Sequence, residues 1–278
     1  MLRGFGFVDT SVKYLFIDGG YLDVLIQTYS KKFYPSGNAD FDYSKLGLGF
    51  TKVFYYHSPP NDESTPEKHD AAKAERYDRL IESLQLPGWH VSHGRRKLGK
   101  YNRYTQKQVD VQIAVDLLSH SYKRNMHSAT LLAGDEDFVP VVDAVVKEGM
   151  QLTVWDDLIQ HSPHLRAAAD DRKVFDPWQF NALRSQASRG GACRLPTLTY
   201  SSEPIPDGYQ AFEKATSNFG KEFLLCHHAV NNAPLVICPQ QRDVGGNYRC
   251  YLDNDIDFLK QFVDTLHEKL TWTSWPNE

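Results

Sequence analysis

The stretch Tyr14-Leu-Phe-Ile-Asp-Gly-Gly20 indicates the fold, because it has the form of a buried strand that runs directly into a helix. A short apolar run ends at the carboxylate of Asp18, and two glycines follow it. Apolar residues then recur at helical spacing up to about Phe33. This is the first half of a strand–helix–strand unit, in which the next strand runs parallel to the first.

Strand and helix patterns alternate over the first two thirds of the chain. Four further strands are predicted after the first, with helices between the strands and a last helix over 161–171. The strands are predicted at Lys52–His57, Trp89–Val91, Ala129–Ala133 and Gln151–Trp155. Such alternation predicts an α/β fold, a parallel sheet flanked by helices. A strand order of 3-2-1-4-5 would make the first and fourth strands neighbours at the point where the order reverses.

The composition and the periodic pattern of the chain change after Phe180. We expect an α/β domain over 1–183 and a linker or wrapping segment over 184–208, which is rich in Ser, Gly and Pro. Short strand patterns and one amphipathic helix pattern predict a small C-terminal α+β unit over 209–278. Its role is open between forming a homodimer, capturing substrate and binding a partner.

Composition excludes several classes of protein. The chain has 278 residues, of which 41% are hydrophobic and 24% charged, so it is globular rather than disordered. No segment approaches the roughly 20 apolar residues of a membrane helix, and no signal peptide is recognisable. We therefore expect a cytoplasmic protein with no membrane partner and with reduced cysteines. The net charge of −4 argues against coating nucleic acid through overall charge, but it leaves room for a local basic groove.

Acidic side chains follow the predicted strands at informative places. Asp18 ends the first strand, Asp135 and Asp137 follow the fourth, and Asp110 opens the helix before the fourth. Because binding sites in open α/β sheets form beyond the carboxyl ends of strands, we expect these four acids to meet at the switch point. Clustered carboxylates suit Mg²⁺ or Mn²⁺, and such a site supports hydrolysis of phosphodiesters.

Each acid also has a structural interpretation. Asp137 suits the N-cap of the helix that starts at Phe138, and Asp110 suits the first turn of its helix, where a negative charge is favourable. Asp18 has no obvious structural role in the sequence. Asp116 is about 120° around the helix from Asp110, so we place it behind the site as a supporting residue. Asp156, after the fifth strand, is a weaker candidate, because such positions are usually only solvated.

Three of these segments resemble the motifs of NYN-domain proteins, a PIN-like nuclease group that includes the LabA-like proteins. The motifs are Phe16-Ile-Asp-Gly-Gly-Tyr-Leu22, Lys107-Gln-Val-Asp-Val-Gln-Ile-Ala-Val-Asp116 and Leu132-Ala-Gly-Asp-Glu-Asp-Phe138. The resemblance covers about 14–180 and implies a Rossmann-like, PIN-like fold and a metal-dependent ribonuclease. It implies catalytic and metal-binding roles for Asp18, Asp110, Asp135 and Asp137. The first motif departs from the family at Tyr21, where asparagine is usual, and this bears on substrate positioning.

A basic segment lies between the third strand and the helix of Asp110. Tyr101 and Tyr104 are interleaved with six cations, namely Arg95, Arg96, Lys97, Lys100, Arg103 and Lys107. Cations that contact phosphates, together with rings that stack on bases, are typical of proteins that bind single-stranded nucleic acid. Beside an acidic metal site, we interpret this segment as binding nucleic acid, which the resemblance implies to be RNA, with Lys107 reaching the scissile phosphate.

Two other functions compete with a ribonuclease. The first is an inactive RNA-binding regulator on the same fold, which the departure at Tyr21 favours. The second is a metal-dependent phosphatase, which the missing second acid of an Asp-x-Asp motif disfavours. His57 and His69 are interpreted as surface residues, and nothing in the sequence supports a nucleophilic serine or a P-loop.

Overall fold

The computed structural model describes residues 11–34, 41–58, 71–85, 88–94, 97–98, 104–105, 109–158, 161–185, 194–218, 220–230, 233–243, 245–267 and 270–275. The chain divides into two compact units, Met1–Gly191 and Ala192–Glu278. None of the described helices is both long and apolar enough to cross a membrane.

Short apolar runs form the strands of the first unit. These are β1 (Lys13–Asp18), β2 (Lys52–His57), β3 (His90–His93), β4 (Lys97–Leu98), β5 (Tyr104–Thr105), β6 (Ser128–Leu132), β7 (Gln151–Asp157) and β8 (Asp171–Phe175). Six of them form one parallel sheet in the order β3-β2-β1-β6-β7-β8. The predicted order is confirmed: β1 and β6 are neighbours, with Ile17 opposite Leu132.

Helices flank this sheet. They are α1 (Gly19–Phe33), α2 (Ala71–Gln85), α3 (Val109–Tyr122), α4 (Val139–Lys147), α5 (Pro163–Ala168) and α6 (Pro177–Ala182), with 3₁₀ turns at Tyr43–Gly47 and Glu136–Phe138. Side chains of α3 and α4, such as Ile113 and Val142, pack on one sheet face against Phe16 and Leu131. The α/β fold with a parallel sheet is therefore confirmed, and the carboxyl ends of β1 and β6 lie side by side.

One predicted helix is wrong in part. The helix expected over 161–171 ends at Ala168, and Asp171–Phe175 forms the edge strand β8 instead. The burial of β8 alternates along its length, as expected of a strand with one face to solvent. The helix prediction failed because Ala167, Ala168 and Ala169 continue the helical composition past the point where the backbone becomes extended at Ala169.

The second unit is an antiparallel sheet with one helix. Its elements are β9 (Thr197–Ser201), β10 (Tyr209–Thr216), β11 (Glu222–His228), β12 (Leu235–Pro239), β13 (Tyr248–Asp253), α7 (Ile256–His267) and β14 (Thr271–Ser274). The sheet order is β14-β10-β11-β12-β13-β9. Residues 197–201, within the segment predicted as a linker, thus contribute an edge strand, and the predicted boundaries at 183 and 208 remain predictions.

The two faces of the second sheet are covered differently. The buried side of α7 includes Phe262, whose ring contacts Tyr251 of β13 at 5.7 Å. Cys226, Cys238 and Cys250 belong to a separate buried cluster and are free thiols. Cysteine here acts as a small buried apolar residue. Cys193 lies outside the described residues.

A candidate acidic site at the carboxyl ends of β1 and β6

Asp18 has a structural role that its position before two glycines does not reveal. It is the N-cap of α1, and its Oδ1 accepts hydrogen bonds from the backbone N–H groups of Gly20 at 2.9 Å and Tyr21 at 3.2 Å. The expectation of no structural role is therefore wrong, because the two glycines concealed a helix start. Both bonds use the same carboxylate oxygen, so capping and a role in a site are compatible.

Asp110 lies close enough to Asp18, and to Asp135 and Asp137, for the carboxylate charges to interact. Burial, together with the neighbouring charge of Asp110, raises the pKa of Asp18 to about 6. Burial also raises the pKa of Asp110, and the charges of Asp135 and Asp137 add to this effect. Asp18 and Asp110 are half-buried, whereas Asp135 and Asp137 are exposed. The cluster therefore has a buried side and a side open to solvent.

The 3₁₀ turn after β6 fixes the two exposed acids. The side chain of Asp135 accepts a hydrogen bond from the backbone N–H of Asp137 at 3.0 Å and so caps Glu136–Phe138. The prediction that Asp137 is the cap is wrong, because the first turn begins at Glu136, two residues before the predicted start at Phe138. Asp110 lies in the first turn of α3, as predicted.

The donor set fits a hard divalent cation. Its oxygens are carboxylate oxygens, and their mutual repulsion is the kind that a cation relieves. Within the described ranges, no three His, Cys, Asp or Glu side chains form a ready metal site. Mg²⁺ usually binds through one or two carboxylates and keeps several waters, so it does not require three direct ligands.

Tyr21 is packed where the first motif departs from the usual asparagine. A Cβ atom added to Gly134 would lie 2.3 Å from Cε2 of Tyr21, so the tyrosine ring rests directly against the glycine backbone. Its hydroxyl accepts a hydrogen bond from the backbone N–H of Asp157 at 2.8 Å. Burial raises the pKa of the Tyr21 hydroxyl well above its ordinary value. Tyr21 thus connects α1 to the ends of β6 and β7, and its contact with substrate stays a prediction.

Asp156 is a structural acid. It is fully buried within β7 and forms ion pairs with Arg166 of α5 and with Arg172 of β8, the latter at 3.1 Å. The expectation of a solvated residue after the strand is wrong, because β7 extends to Asp157 and β8 covers its edge. The sequence contains all three residues but does not show that the two arginines pair with Asp156.

Asp116 accepts hydrogen bonds from two side chains. It accepts a hydrogen bond from the hydroxyl of Tyr56 at 2.9 Å and one from the amide nitrogen of Gln112 at 3.0 Å. Its predicted supporting position behind Asp110 remains a prediction, but the groups it holds are Tyr56 and Gln112.

His57 is a buried residue that the sequence analysis placed on the surface. It is 7% exposed, and its Nε2 lies 2.9 Å from Oδ2 of Asp23 on α1. Its charge, when protonated, lowers the pKa of Asp18. The signal was its position at the end of the apolar run of β2. His69 lies outside the described residues.

Most of the basic segment also lies outside the described residues, namely Arg95, Arg96, Lys100, Arg103 and Lys107, and with them Tyr101. Lys97 lies in β4, opposite Thr105 of the antiparallel strand β5. The predicted RNA contacts of this segment stay predictions.

The raised pKa of Asp18 predicts that Asp18→Asn stabilises the protein at neutral pH. Because the folded-state pKa lies above the ordinary 3.8, keeping Asp18 ionised in the folded protein lowers the free energy of unfolding. This cost is absent below pH 3.8, grows between pH 3.8 and 6, and is fully present above about 6. The cost at pH 7.5 is up to about 3 kcal/mol. Urea unfolding at pH 7.5 and pH 5 measures it. The exposed Asp78→Asn is the control, and an equal effect of both variants would contradict the electrostatic account.

Comparison with known proteins gives a family match. The family model described as "NYN domain" matches residues 14–175, which include all the acids discussed above. No curated protein matches the chain. A Vibrio parahaemolyticus protein of unknown function shows 18% identity over 61% of this chain and 96% of its own, with a TM-score of 0.43. Acinetobacter baumannii MurG shows 9% identity over 59% of this chain and 45% of its own, with a TM-score of 0.30.

Proposed function

The chain belongs to the NYN-domain family, and on this premise we propose that it is a Mg²⁺- or Mn²⁺-dependent endoribonuclease. The observation that carries the proposal is the cluster of Asp18, Asp110, Asp135 and Asp137, whose charges act on one another where β1 and β6 end side by side. A cytoplasmic location, with RNA as the partner, is part of the proposal and rests on the sequence.

The residues of the site have separable roles in phosphodiester hydrolysis. One or two of the four acids would hold a divalent ion together with water, and when bound the ion supplies Lewis acidity at the phosphate and acidifies water. Asp18 is held in place by the N–H groups of Gly20 and Tyr21, so its position does not depend on the substrate. Asp135 is held in the same way by the N–H of Asp137. Such fixed carboxylates orient the reacting groups without reorganisation during the reaction.

An inactive RNA-binding module is the second candidate, and Tyr21 is the observation that favours it. The tyrosine ring fills the space against Gly134, and its hydroxyl is engaged by the N–H of Asp157. The place of the usual asparagine is therefore taken by a side chain with an internal hydrogen bond. This module would bind RNA with strong salt dependence but would not cleave it.

A cleavage assay separates the two functions. The full chain is incubated with labelled single-stranded RNA in Mn²⁺, in Mg²⁺ and in EDTA, with a DNA strand of the same sequence in parallel. We expect cleavage of RNA in the presence of either metal and none in EDTA. Binding without cleavage under every metal would favour the regulatory module, and cleavage that persists in EDTA would contradict a metal-dependent site.

Mn²⁺ is expected to stabilise the folded protein. An ion that binds only the folded state, at a concentration a hundredfold above its Kd, adds about 2.7 kcal/mol to the free energy of unfolding. Urea unfolding with and without Mn²⁺ measures this gain, which Asp18→Asn should largely remove and the exposed Asp78→Asn should retain. An equal gain in both variants would place the ion elsewhere.

A further inference from the structure

The first turn of α1 holds the carboxylate of Asp18 through its backbone. The N–H groups of Gly20 and Tyr21 both donate to Oδ1 of Asp18, and the first N–H groups of a helix have no acceptor within the helix itself. The orientation of the carboxylate therefore follows the position of this turn. A residue that anchors the turn to the sheet acts on the site without touching a substrate.

We propose that the pair of His57 and Asp23 is a positioning element of the acidic site. The pair fixes the start of α1 against the end of β2 and so orients the carboxylate of Asp18 toward a divalent ion. The proposal rests on the proposed function, because it assigns the orientation of one of the four acids to a residue on the neighbouring strand.

The register of the sheet places His57 beside the start of α1. His57 follows Tyr56, which lies opposite Asp18. A Cβ atom added to Gly19 would lie 2.7 Å from Cδ2 of His57 and 2.7 Å from Cζ of Tyr55, so α1 begins in direct contact with both rings. His57 is also near enough to Asp18 for its charge, when protonated, to act on that carboxylate.

A hydrogen bond secures this contact one turn further along α1. Nε2 of His57 lies 2.9 Å from Oδ2 of Asp23, and an ionised carboxylate only accepts, so Nε2 is the donor. Nδ1 of His57 is buried and has no hydrogen-bond partner in the described part of the chain, so the bond to Asp23 sets the orientation of the ring. Gly19 and Asp23 are four residues apart and therefore share one face of α1.

Two aromatic rings enclose His57. The ring of Tyr55 is stacked on it with centroids 6.0 Å apart, and the ring of Tyr77 on α2 lies at 5.3 Å. A side chain packed in this way keeps one rotamer, so the bond to Asp23 exists before any ligand binds. Residues that orient the ligands of a metal in this manner typically change its affinity by 10- to 100-fold when they are replaced.

The first test measures the hold of α1 on Asp18 in the full chain without metal. Hydrogen exchange of the Gly20 and Tyr21 amides is followed by NMR in EDTA, after ¹⁵N labelling of glycine and tyrosine. We expect Asp23→Ala to speed exchange of both amides about fivefold, the effect of losing a helix cap. The Asp23 side chain is 36% exposed, so this variant should fold. His57→Leu should act like Asp23→Ala, whereas His57→Gln, whose amide can still donate to Asp23, should keep the slow exchange.

The second test measures the affinity for Mn²⁺ by the electron paramagnetic resonance of the free ion. Asp23→Ala and His57→Leu should both raise the Kd about tenfold, and His57→Gln should keep it within about threefold of the unmodified value. A purely electrostatic role would not weaken binding in both variants. Loss of the Asp23 charge reduces the attraction for a cation, but loss of His57 does not.

The matched control is Tyr29→Phe, on the same helix. The hydroxyl of Tyr29 is buried and donates to Asp157, about 16 Å along α1 from Asp18. Its loss should lower the free energy of unfolding, because a buried partner is left behind. It should change neither the exchange of Gly20 and Tyr21 nor the affinity for Mn²⁺.

Two results would overturn the proposal: unchanged exchange of the two amides in Asp23→Ala and His57→Leu, or faster exchange in both with an unchanged affinity for Mn²⁺. An effect of Tyr29→Phe as large as theirs would also count against it, because the role would then be general stability. Failure of the proposed function has a different signature. If the unmodified chain binds no Mn²⁺, the nuclease is contradicted, and the exchange rates still decide whether the pair orients Asp18.

Discussion

Asp18→Asn is expected to lower the rate of RNA cleavage by about a hundredfold or more, since a bound divalent ion contributes several kcal/mol to transition-state stabilisation. Asparagine keeps the side-chain oxygen that caps α1 but removes the negative charge. The variant therefore separates the structural role of Asp18 from its role in the site. Single-turnover cleavage of labelled RNA in Mn²⁺ measures the effect.

The same variant is expected to fold with greater stability at neutral pH, because burial and Asp110 raise the pKa of Asp18 to about 6. Loss of activity together with a gain in stability is the signature of a charge kept for function. Asp78→Asn, on the exposed face of α2, should change neither property. Cleavage by Asp18→Asn at the unmodified rate would contradict the assignment of the site.

Asp156→Ala is expected to lower the free energy of unfolding by about 3 to 5 kcal/mol, the range found when one partner of a buried ion pair is removed. Arg166 and Arg172 are 16% and 19% exposed and would keep their charges without the carboxylate between them. Burial also lowers the pKa of Arg166, as expected for a guanidinium that is largely removed from water. Urea unfolding measures the loss.

The control for this prediction is Asp143→Ala on α4. Asp143 forms a surface ion pair with Lys147 at 3.5 Å, in which the lysine is 75% exposed. A surface pair of this kind contributes at most about 1 kcal/mol. Equal losses in the two variants would contradict the view that Asp156 holds α5 and β8 to the sheet edge.

The sequence predicted the part of the fold that depends on local patterns. Alternating strand and helix patterns led to a parallel sheet with β1 beside β6. In this order the end of β1 at Asp18 lies beside the end of β6, which Asp135 and Asp137 follow. The edge strand β8 escaped prediction because its five residues follow an alanine run that continues a helical composition. Its partner strand, not its own sequence, decides its conformation.

The roles of the individual acids were less predictable, because a role depends on partners that are distant in sequence. Asp18 and Asp156 both occur at the end of an apolar run, yet one caps a helix beside other acids and the other pairs with two arginines. The pair of Gln112 and Asp116 lies at helical spacing and was visible in the sequence. The second partner of Asp116 is the hydroxyl of Tyr56, which is distant in sequence on β2.

The most direct test of the central claim is the position of Mn²⁺ in crystals of the full chain. Mn²⁺ can be located by its anomalous scattering, without reliance on activity. We predict an anomalous peak within the cluster, in contact with Asp18 or Asp110 on the buried side and with Asp135 or Asp137 on the exposed side. The absence of a peak there at millimolar Mn²⁺, with the acids hydrogen-bonded to protein groups instead, would contradict the account.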